Sequence, residues 1–437
     1  MKYILGLLFL CMLVLIHEFG HFIAARLCGV YVEEFAIGMG PKIIQRRSKK
    51  SGTMYSIRWI PIGGYCAMKG ETVDSEKEPE KDSFAAASVW KRMIIIAAGP
   101  FCNLLLGVIL AFGLVAVSGH DTPVVTVVDA PPAIEAGLQK GDVILEYNGH
   151  RVLSSRELYF QEWYEKDEEL QEVNLTVLRD GKEVSLSYEP VQEHTYAMGV
   201  TSGVTKEGTL LVVSFLDGSA AEAAGLQTGD IITAIDGHEP TAEQNLSEYL
   251  DEVPFTDKEV TLTYERNGEE GQVSFVPTVK ELVDTGFGYQ TQRKPSEHFL
   301  TDTWAELRYY GVSVVKSLTG LVTGRFGLSD MAGPVGIVKQ LGDSYETATV
   351  ATKEVTGNVD FTSLVSLLCL ITVNLGLFNL IPIPALDGSH LVFLIIEAVR
   401  RKRVSPKIEN GVYQVGMLII LGLSVIIILK DFWAICF

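Results

Sequence analysis

"VLIHEFGHFIAAR", residues 14–26, decides how the chain must be read. It lies inside a run that is otherwise apolar from Ile4 to Ala25, and about 20 such residues cross the hydrocarbon core of a bilayer. Yet the stretch carries His17, Glu18 and His21. An ionisable group in the middle of a membrane helix costs at least ~2.5–3.5 kcal/mol on insertion scales. Three polar groups on one stripe of such a helix therefore need a shared partner. Helical positions i and i+4 differ by about 40°, so both imidazoles share one face and can hold one metal ion. Glu18 projects near that face without being placed as a third close ligand. The role that suits it is general base toward a water activated by the metal.

The rest of the chain fits a membrane protein of several parts. It has 437 residues, 47% of them hydrophobic. The net charge of -18 is uneven: residues 119–362 hold 41 acidic and 17 basic side chains, and the remainder holds 13 and 19. Such asymmetry argues for separate compartments, and the acidic segment would repel nucleic acid. Four stretches are long and apolar enough to span: about 4–25, 93–118, 363–386 and 411–429. The first resembles a signal peptide's apolar core. However, it has no basic start beyond Lys2, it is long, and "RLCGVYVEEF" (26–35) after it offers no small-residue cleavage site. It reads as retained.

Loop charge sets the orientation. Loop 26–92 carries 12 Lys and Arg, including "RRSKK" at 46–50, and "RRKR" stands at 400–403 with Lys407 beyond. Both loops are expected in the cytoplasm, which places both termini and the acidic region outside. None of the six cysteines lies in 119–362, so no disulfide framework is expected there.

The acidic region contains a repeat. "AGLQKGDVILEYNGH" at 136–150 returns as "AGLQTGDIITAIDGH" at 224–238, an offset of 88 residues. Each copy runs small-residue helix, Gly turn, Asp, apolar strand and Asn-Gly or Asp-Gly turn, after a β-rich stretch. This spacing resembles two tandem PDZ domains of the bacterial type. Such α+β domains bind extended peptides along a sheet edge, or serve here as a steric filter. Segment 296–325 follows, with Trp304, Tyr309 and Tyr310 among Glu306, Arg308 and Lys316. It is too polar to span and reads as an amphipathic helix on the outer membrane surface, with a soluble helix packed on the PDZ pair as the alternative.

A catalytic zinc usually has three protein ligands and an open position. The third spanning stretch supplies a candidate in "VNLGLFNLIPIPALDGSH", 373–390, which holds Asn374, Asn379 and Asp387 in apolar surroundings. Pro382 and Pro384 must break the helix there, and broken backbone at membrane depth is tolerated only where it lines a cavity or is buried in protein. Asp387 after the break is either a ligand or a helix N-cap, and His390 competes as a ligand. Depth agrees with the first reading. With the N-terminus outside, His17 lies ~20 Å below the outer face at 1.5 Å per residue, in the cytoplasmic half where Asp387 also falls.

The pairing of HExxH in the first span with "NLIPIPALDG" in the third, and PDZ-like repeats between, resembles the site-2 proteases. These are M50-type intramembrane zinc metalloproteases, and tandem PDZ domains place the resemblance nearest the regulator-of-sigma-E branch. It covers essentially the whole chain. "IGMGPK" (37–42), "IPIGGYCAMKGE" (60–71), "AGPFCN" (98–103) and "AGPVGI" (332–337) are further family marks. One departure is Ser389, where the family often has a second glycine after LDG.

The resemblance implies a polytopic α-helical membrane protein with two extracytoplasmic PDZ domains and a membrane-re-entrant β-loop. The expected division is 1–27 (first span), 28–92 (cytoplasmic and re-entrant β region), 93–118 (second span), 119–204 and 205–283 (PDZ domains), 284–362 (amphipathic helix and connector), 363–390 (third span), 391–410 (basic loop) and 411–430 (fourth span). One Zn2+ per chain would be held by His17, His21 and Asp387, with Glu18 the catalytic base. Asn374 and Asn379 would handle substrate, with Gly38, Gly40, Gly63 and Gly64 in the segments that contact it. Residues 54–69 alternate enough for a β-hairpin turning at Gly63-Gly64, whose open edge could pair with an unwound substrate.

The implied activity is zinc endopeptidase cleavage of single-pass membrane proteins, such as anti-sigma factors or remnant signal peptides, within or near their spanning helix. The implied setting is regulated proteolysis in a stress response at the bacterial plasma membrane, with the active site toward the cytoplasmic side. Implied partners are those substrates, lipid and ligands of the PDZ domains. A catalytically dead scaffold would predict a damaged motif, and an ion transporter would predict polar residues strung across several spans. Neither pattern is present.

Overall fold

Two units divide the chain: Met1–Thr122 with Thr291–Phe437, and Pro123–Gln290. The computed structural model describes residues 2–436 apart from 72–79, 166–171, 206–207, 216–217, 228, 242–243, 267, 292, 328–331, 347 and 350–358. Among the described residues of the first unit, four helices are long and apolar enough to cross a membrane: Lys2–Cys28, Val89–Ser118, Thr362–Leu380 and Ile408–Lys430, with mean hydropathies of 2.1, 2.4, 2.0 and 2.5. They fall on the four apolar stretches of the sequence, the third ending at Leu380 and not at 386.

The first two of these helices, α1 (Lys2–Cys28) and α2 (Val89–Ser118), pack at unusually close range. A Cβ on Gly20 would lie 2.3 Å from the Ala98 carbonyl oxygen. Between lipid-solvated helices little hydrophobic drive exists, so small residues that let backbones approach set the contact. Ser88 caps α2 by accepting from the Lys91 amide, and the helix runs through Pro100 to Gly119 at φ 75°.

Between α1 and α2 lie two long strands, β1 (Val32–Arg47) and β2 (Met54–Met68). The hairpin expected within 54–69 does not form. The two halves of β2 flank β1 instead: Glu34 pairs with both Met54 and Ala67, and Ile37 with both Ile57 and Gly64. The second half of β1, Lys42 to Arg47, returns along Arg58 to Met54. The cause is backbone geometry. Gly38, Gly40 and Gly63 take φ of +80°, +85° and +73°, values that fold each strand back and that glycine adopts without penalty. The result is four paired segments with residues 64–68 on an outer edge.

The third long helix stops at Leu380, and a new helix, Asp387–Arg400, starts after six residues. Residues 391–400, expected in a basic loop, are thus helical. The apolar positions of 387–400 recur at helical spacing, and Asp387 in the first turn suits the positive end of the helix dipole. The helix Phe299–Thr323 lies against α2 and Thr362–Leu380: Tyr310 is buried with Ala111, Cys369 and Val373, and Phe299 meets Phe112 edge-on at 4.3 Å.

In the second unit the repeat folds the same way twice. Asp142 accepts from the Gln139 amide and pairs bidentately with Arg179 at 2.7 and 2.6 Å. Asp230 does the same with Gln227 and Arg266, both arginine contacts at 2.7 Å. The division expected at 204/205 falls elsewhere. One core joins Val125 to Tyr188 and then takes in Phe287, from the strand Phe287–Tyr289 that pairs with Val125–Val128. The other core, Met198 to Phe275, is inserted between those two pieces, and the strands Val191–Ala197 and Thr278–Asp284 pair as its stem. A strand pairing 160 residues apart in sequence leaves no periodic signal, which is why the nesting was not legible.

Glu162 in this unit is desolvated, and burial pushes its carboxyl up to about 7, although the Tyr289 hydroxyl donates to it at 2.7 Å. A carboxyl raised in the folded state contributes stability that is full below its unfolded value near 4.5 and lost as pH rises through about 7. Hydrogen-exchange protection of Ser155–Glu165 and Phe287–Tyr289 should therefore fall between pH 4.5 and 7. Glu162→Gln should flatten that dependence, and an unchanged pH profile in the variant would refute the assignment.

Candidate metal centre

The helical stripe on α1 meets the backbone break after Leu380. His17 Nε2 lies 3.0 Å and His21 Nε2 3.4 Å from Asp387 Oδ2, and the two nitrogens are 3.2 Å apart. The two histidines are buried and Asp387 is half-buried, and their donor atoms form one of two such clusters among the described residues. No ion is part of the structure, so the donor set itself is the test. Zinc binds imidazole nitrogen and carboxylate oxygen at about 2.0–2.2 Å, and tetrahedral ligands then stand about 3.3–3.6 Å from one another. A triangle with sides of 3.0–3.4 Å fits that requirement with little movement.

The break that delivers Asp387 is held open by specific contacts. Ala385 sits at φ +77°, a left-handed conformation costing about 1–2 kcal/mol for a residue with a Cβ. The Tyr413 hydroxyl donates to its carbonyl at 3.2 Å. Gly388 lies so close to the end of the preceding helix that a Cβ would stand 2.2 Å from the Ile381 carbonyl oxygen. Ser389, in place of the family's glycine, is accommodated by donating to the Leu386 carbonyl at 2.8 Å. Asp387 is the first helical residue, with Leu386 in the N-cap position. Arg92 of α2 and Glu397 form a buried ion pair at 2.5 Å that ties this helix to α2. Breaking one partner of such a pair leaves a buried charge unmatched, at roughly 3–5 kcal/mol.

Several supporting residues went unassigned in the sequence, although "AGPFCN" had marked their segment. The Ile95 carbonyl is 2.9 Å from His21 Nδ1, so that nitrogen carries the proton and Nε2 keeps its lone pair for a metal. The Asn103 side-chain amide lies 3.2 Å from His17 Nδ1. Turned to present its oxygen, it accepts the Nδ1 proton and leaves His17 Nε2 equally free. Gly99 lies directly behind both rings: a Cβ there would be 2.3 Å from His21 Nε2 and 2.9 Å from His17 Nε2.

A cavity of about 460 Å³ opens on the triangle. Glu18 lines it, and so do Tyr65 to Met68 of the outer β2 edge, Glu71, Asn379, His390 and Tyr413. The Met68 amide donates to Glu71 at 3.2 Å. Of the remaining candidates, Asn374 and Gly64 are not in the lining, nor are Gly38, Gly40 and Gly63, which instead shape the strand folds. His390 faces the cavity, but its Nδ1 lies 3.4 Å from Glu409 and its ring rests on Tyr413.

A bundle of apolar helices with a His-His-Asp cluster and a neighbouring glutamate defines a membrane-embedded metallopeptidase. The family profile "Peptidase family M50" matches residues 5–423, and the chain belongs to that family. It is a zinc metalloprotease. "Regulator of sigma-E protease RseP" of Escherichia coli is 31% identical, over 96% of each chain. A Vibrio cholerae protein carrying the name of a zinc metalloprotease is 30% identical over 99% of this chain and 98% of its own. "Regulator of sigma E protease" of Haemophilus influenzae is 29% identical over 97% and 96%.

The packing of α2 behind the imidazoles yields a direct test. Gly99→Ala should lower cleavage at least 100-fold and reduce zinc bound to the purified chain, because its methyl enters the space of both Nε2 atoms. Gly113→Ala on the same helix, where a Cβ meets nothing within 4 Å, should leave both unchanged. Wild-type cleavage by Gly99→Ala would contradict the arrangement.

Proposed function

We propose that the chain is an intramembrane endopeptidase that cuts single-pass membrane proteins within or near their spanning helix. The observation that carries this reading is the convergence of His17, His21 and Asp387 within 3.4 Å beside Glu18, in a cavity walled by an open strand edge. These three residues are the proposed ligands of one zinc ion per chain. When bound, zinc supplies Lewis acidity that polarises the scissile carbonyl and acidifies water. Glu18 takes the proton from the attacking water and delivers it to the leaving amine.

Proteolysis requires an extended backbone, while a spanning substrate is helical. The outward groups of residues 64–68 offer a strand edge to an unwound substrate. Asn379, on the cavity wall, and Asn374 can hydrogen-bond amides that unwinding frees, which otherwise go unsatisfied in lipid. Gly38, Gly40 and Gly63 serve this indirectly by bending β1 and β2, and Gly64 by letting the edge approach β1, where a Cβ would stand 2.7 Å from the Ala36 carbonyl oxygen.

Loop charge supports a topology with both termini and residues 123–290 outside the cell membrane, β1 and β2 re-entering from the cytoplasm, and the helix 299–323 at the outer surface. The repeated turn supports PDZ domains that admit or bind substrate segments. The names of the E. coli and H. influenzae relatives support a role in releasing a sigma factor by cutting a membrane-anchored regulator.

The test is cleavage of a reporter with one spanning helix by the purified chain in detergent. Wild type should cut, and Glu18→Gln should lose at least about 100-fold while retaining zinc at Asp387 and the two histidines. Equal cutting by Glu18→Gln would overturn the assigned base.

A further inference from the structure

We propose that His390 is a further catalytic residue: its Nε2 donates a hydrogen bond to the scissile carbonyl oxygen as negative charge gathers there, and Glu409 is the positioning residue that aims the ring. This rests on the reading above of Glu18 as base and of His17, His21 and Asp387 as ligands. It adds a part that reading lacks, a side-chain donor for the developing oxyanion.

Position supports it first. Asp387 and His390 stand at i and i+3 in the first turn of the helix Asp387–Arg400. Residues so spaced share a face, with Cβ atoms about 5–6 Å apart. The imidazole therefore lies one turn beyond the carboxylate that meets His17 and His21, and both line the cavity of about 460 Å³. A carbonyl group fits between side chains at that separation. The backbone break that delivers Asp387 delivers His390 with it.

Orientation comes from the fourth long helix. Glu409 Oε1 lies 3.4 Å from His390 Nδ1, and Glu409 is not in the cavity lining. The Nδ1 edge of the ring is thus turned to that carboxylate, which leaves Nε2 as the nitrogen offered to the cavity. The Tyr413 ring packs on the imidazole, with centroids 4.7 Å apart and a tilt of 40°. Tyr413 is fixed in turn by its hydrogen bond to the Ala385 carbonyl. When the ring carries a proton on each nitrogen, the Glu409 carboxylate balances its charge and both N–H groups are donors. A donor already held in place stabilises developing charge without reorganising.

The other polar side chains of the lining are committed elsewhere. The Tyr413 hydroxyl donates to Ala385, and Arg58 engages the Tyr65 hydroxyl. The Nδ1 atoms of His17 and His21 face Asn103 and the Ile95 carbonyl, and their Nε2 atoms face Asp387. Glu18 has to accept a proton, and Asn379 is assigned to amides freed by unwinding. His390 is the ring whose second nitrogen has no such assignment.

The test uses the full-length protein in detergent with the reporter of one spanning helix. His390→Gln should lower kcat about 100–1000-fold, with KM, melting temperature and zinc per chain by native mass spectrometry as in wild type. Its affinity for a phosphinic peptide with apolar flanks, which copies the tetrahedral geometry, should fall by a similar factor. Glu409→Gln leaves the imidazole in place and should lower kcat roughly 10–100-fold, again with zinc and melting temperature unchanged. Wild-type kcat in His390→Gln would overturn the proposal. So would loss of its zinc, which would make His390 a ligand, or loss of its fold together with wild-type kcat in Glu409→Gln, which would leave the pair a structural one. Failure of wild type itself to cut the reporter would instead overturn the endopeptidase reading.

Discussion

Two imidazoles and a carboxylate converge on a space about 3 Å across, inside helices that otherwise present apolar side chains. Left without a shared cation, such groups would burden each helix that carries them. The rest of the helical unit is arranged around that triangle. Gly20 and Gly99 let α1 and α2 approach until the backbone of α2 touches the rings. The break after Leu380 turns Asp387 inward, Gly388 keeps the turn tight, and the Arg92–Glu397 pair holds the following helix against α2. The left-handed Ala385 and the buried Arg92–Glu397 pair sacrifice some local stability for position at the triangle.

The same geometry sets what the cavity can receive. One wall is a strand edge rather than a helix, because glycines at 38, 40 and 63 fold β1 and β2 into four short segments. One amide of that edge already meets a carboxylate, Met68 with Glu71. Glu18 on α1 and residues 65–68 of the edge line the same cavity.

Much of this was legible because the chemistry is local or the energetic anomaly is large. Histidines four apart in an apolar run, and prolines inside a spanning stretch, are conspicuous for physical reasons, and they pointed to His17, His21 and Asp387. The repeated AGLQ-GD turns were equally visible, since each Asp is consumed within its own turn and by one arginine. What escaped depends on distant pairing. The two halves of β2 bind opposite sides of β1, and Phe287 completes a core begun at Val125, with no periodicity to announce either. Asn103 and the Ile95 carbonyl escaped for another reason. An asparagine in an apolar helix signals a polar contact but not its partner, and a backbone carbonyl leaves no mark in sequence at all.

If His17, His21 and Asp387 share one zinc ion, zinc-edge X-ray absorption on the full-length chain reads that centre directly. The expected result is imidazole nitrogen and carboxylate or water oxygen at about 2.0–2.2 Å without sulfur, with loss of the signal in Asp387→Ala. A sulfur shell near ~2.3 Å, or an unchanged spectrum after Asp387→Ala, would contradict it.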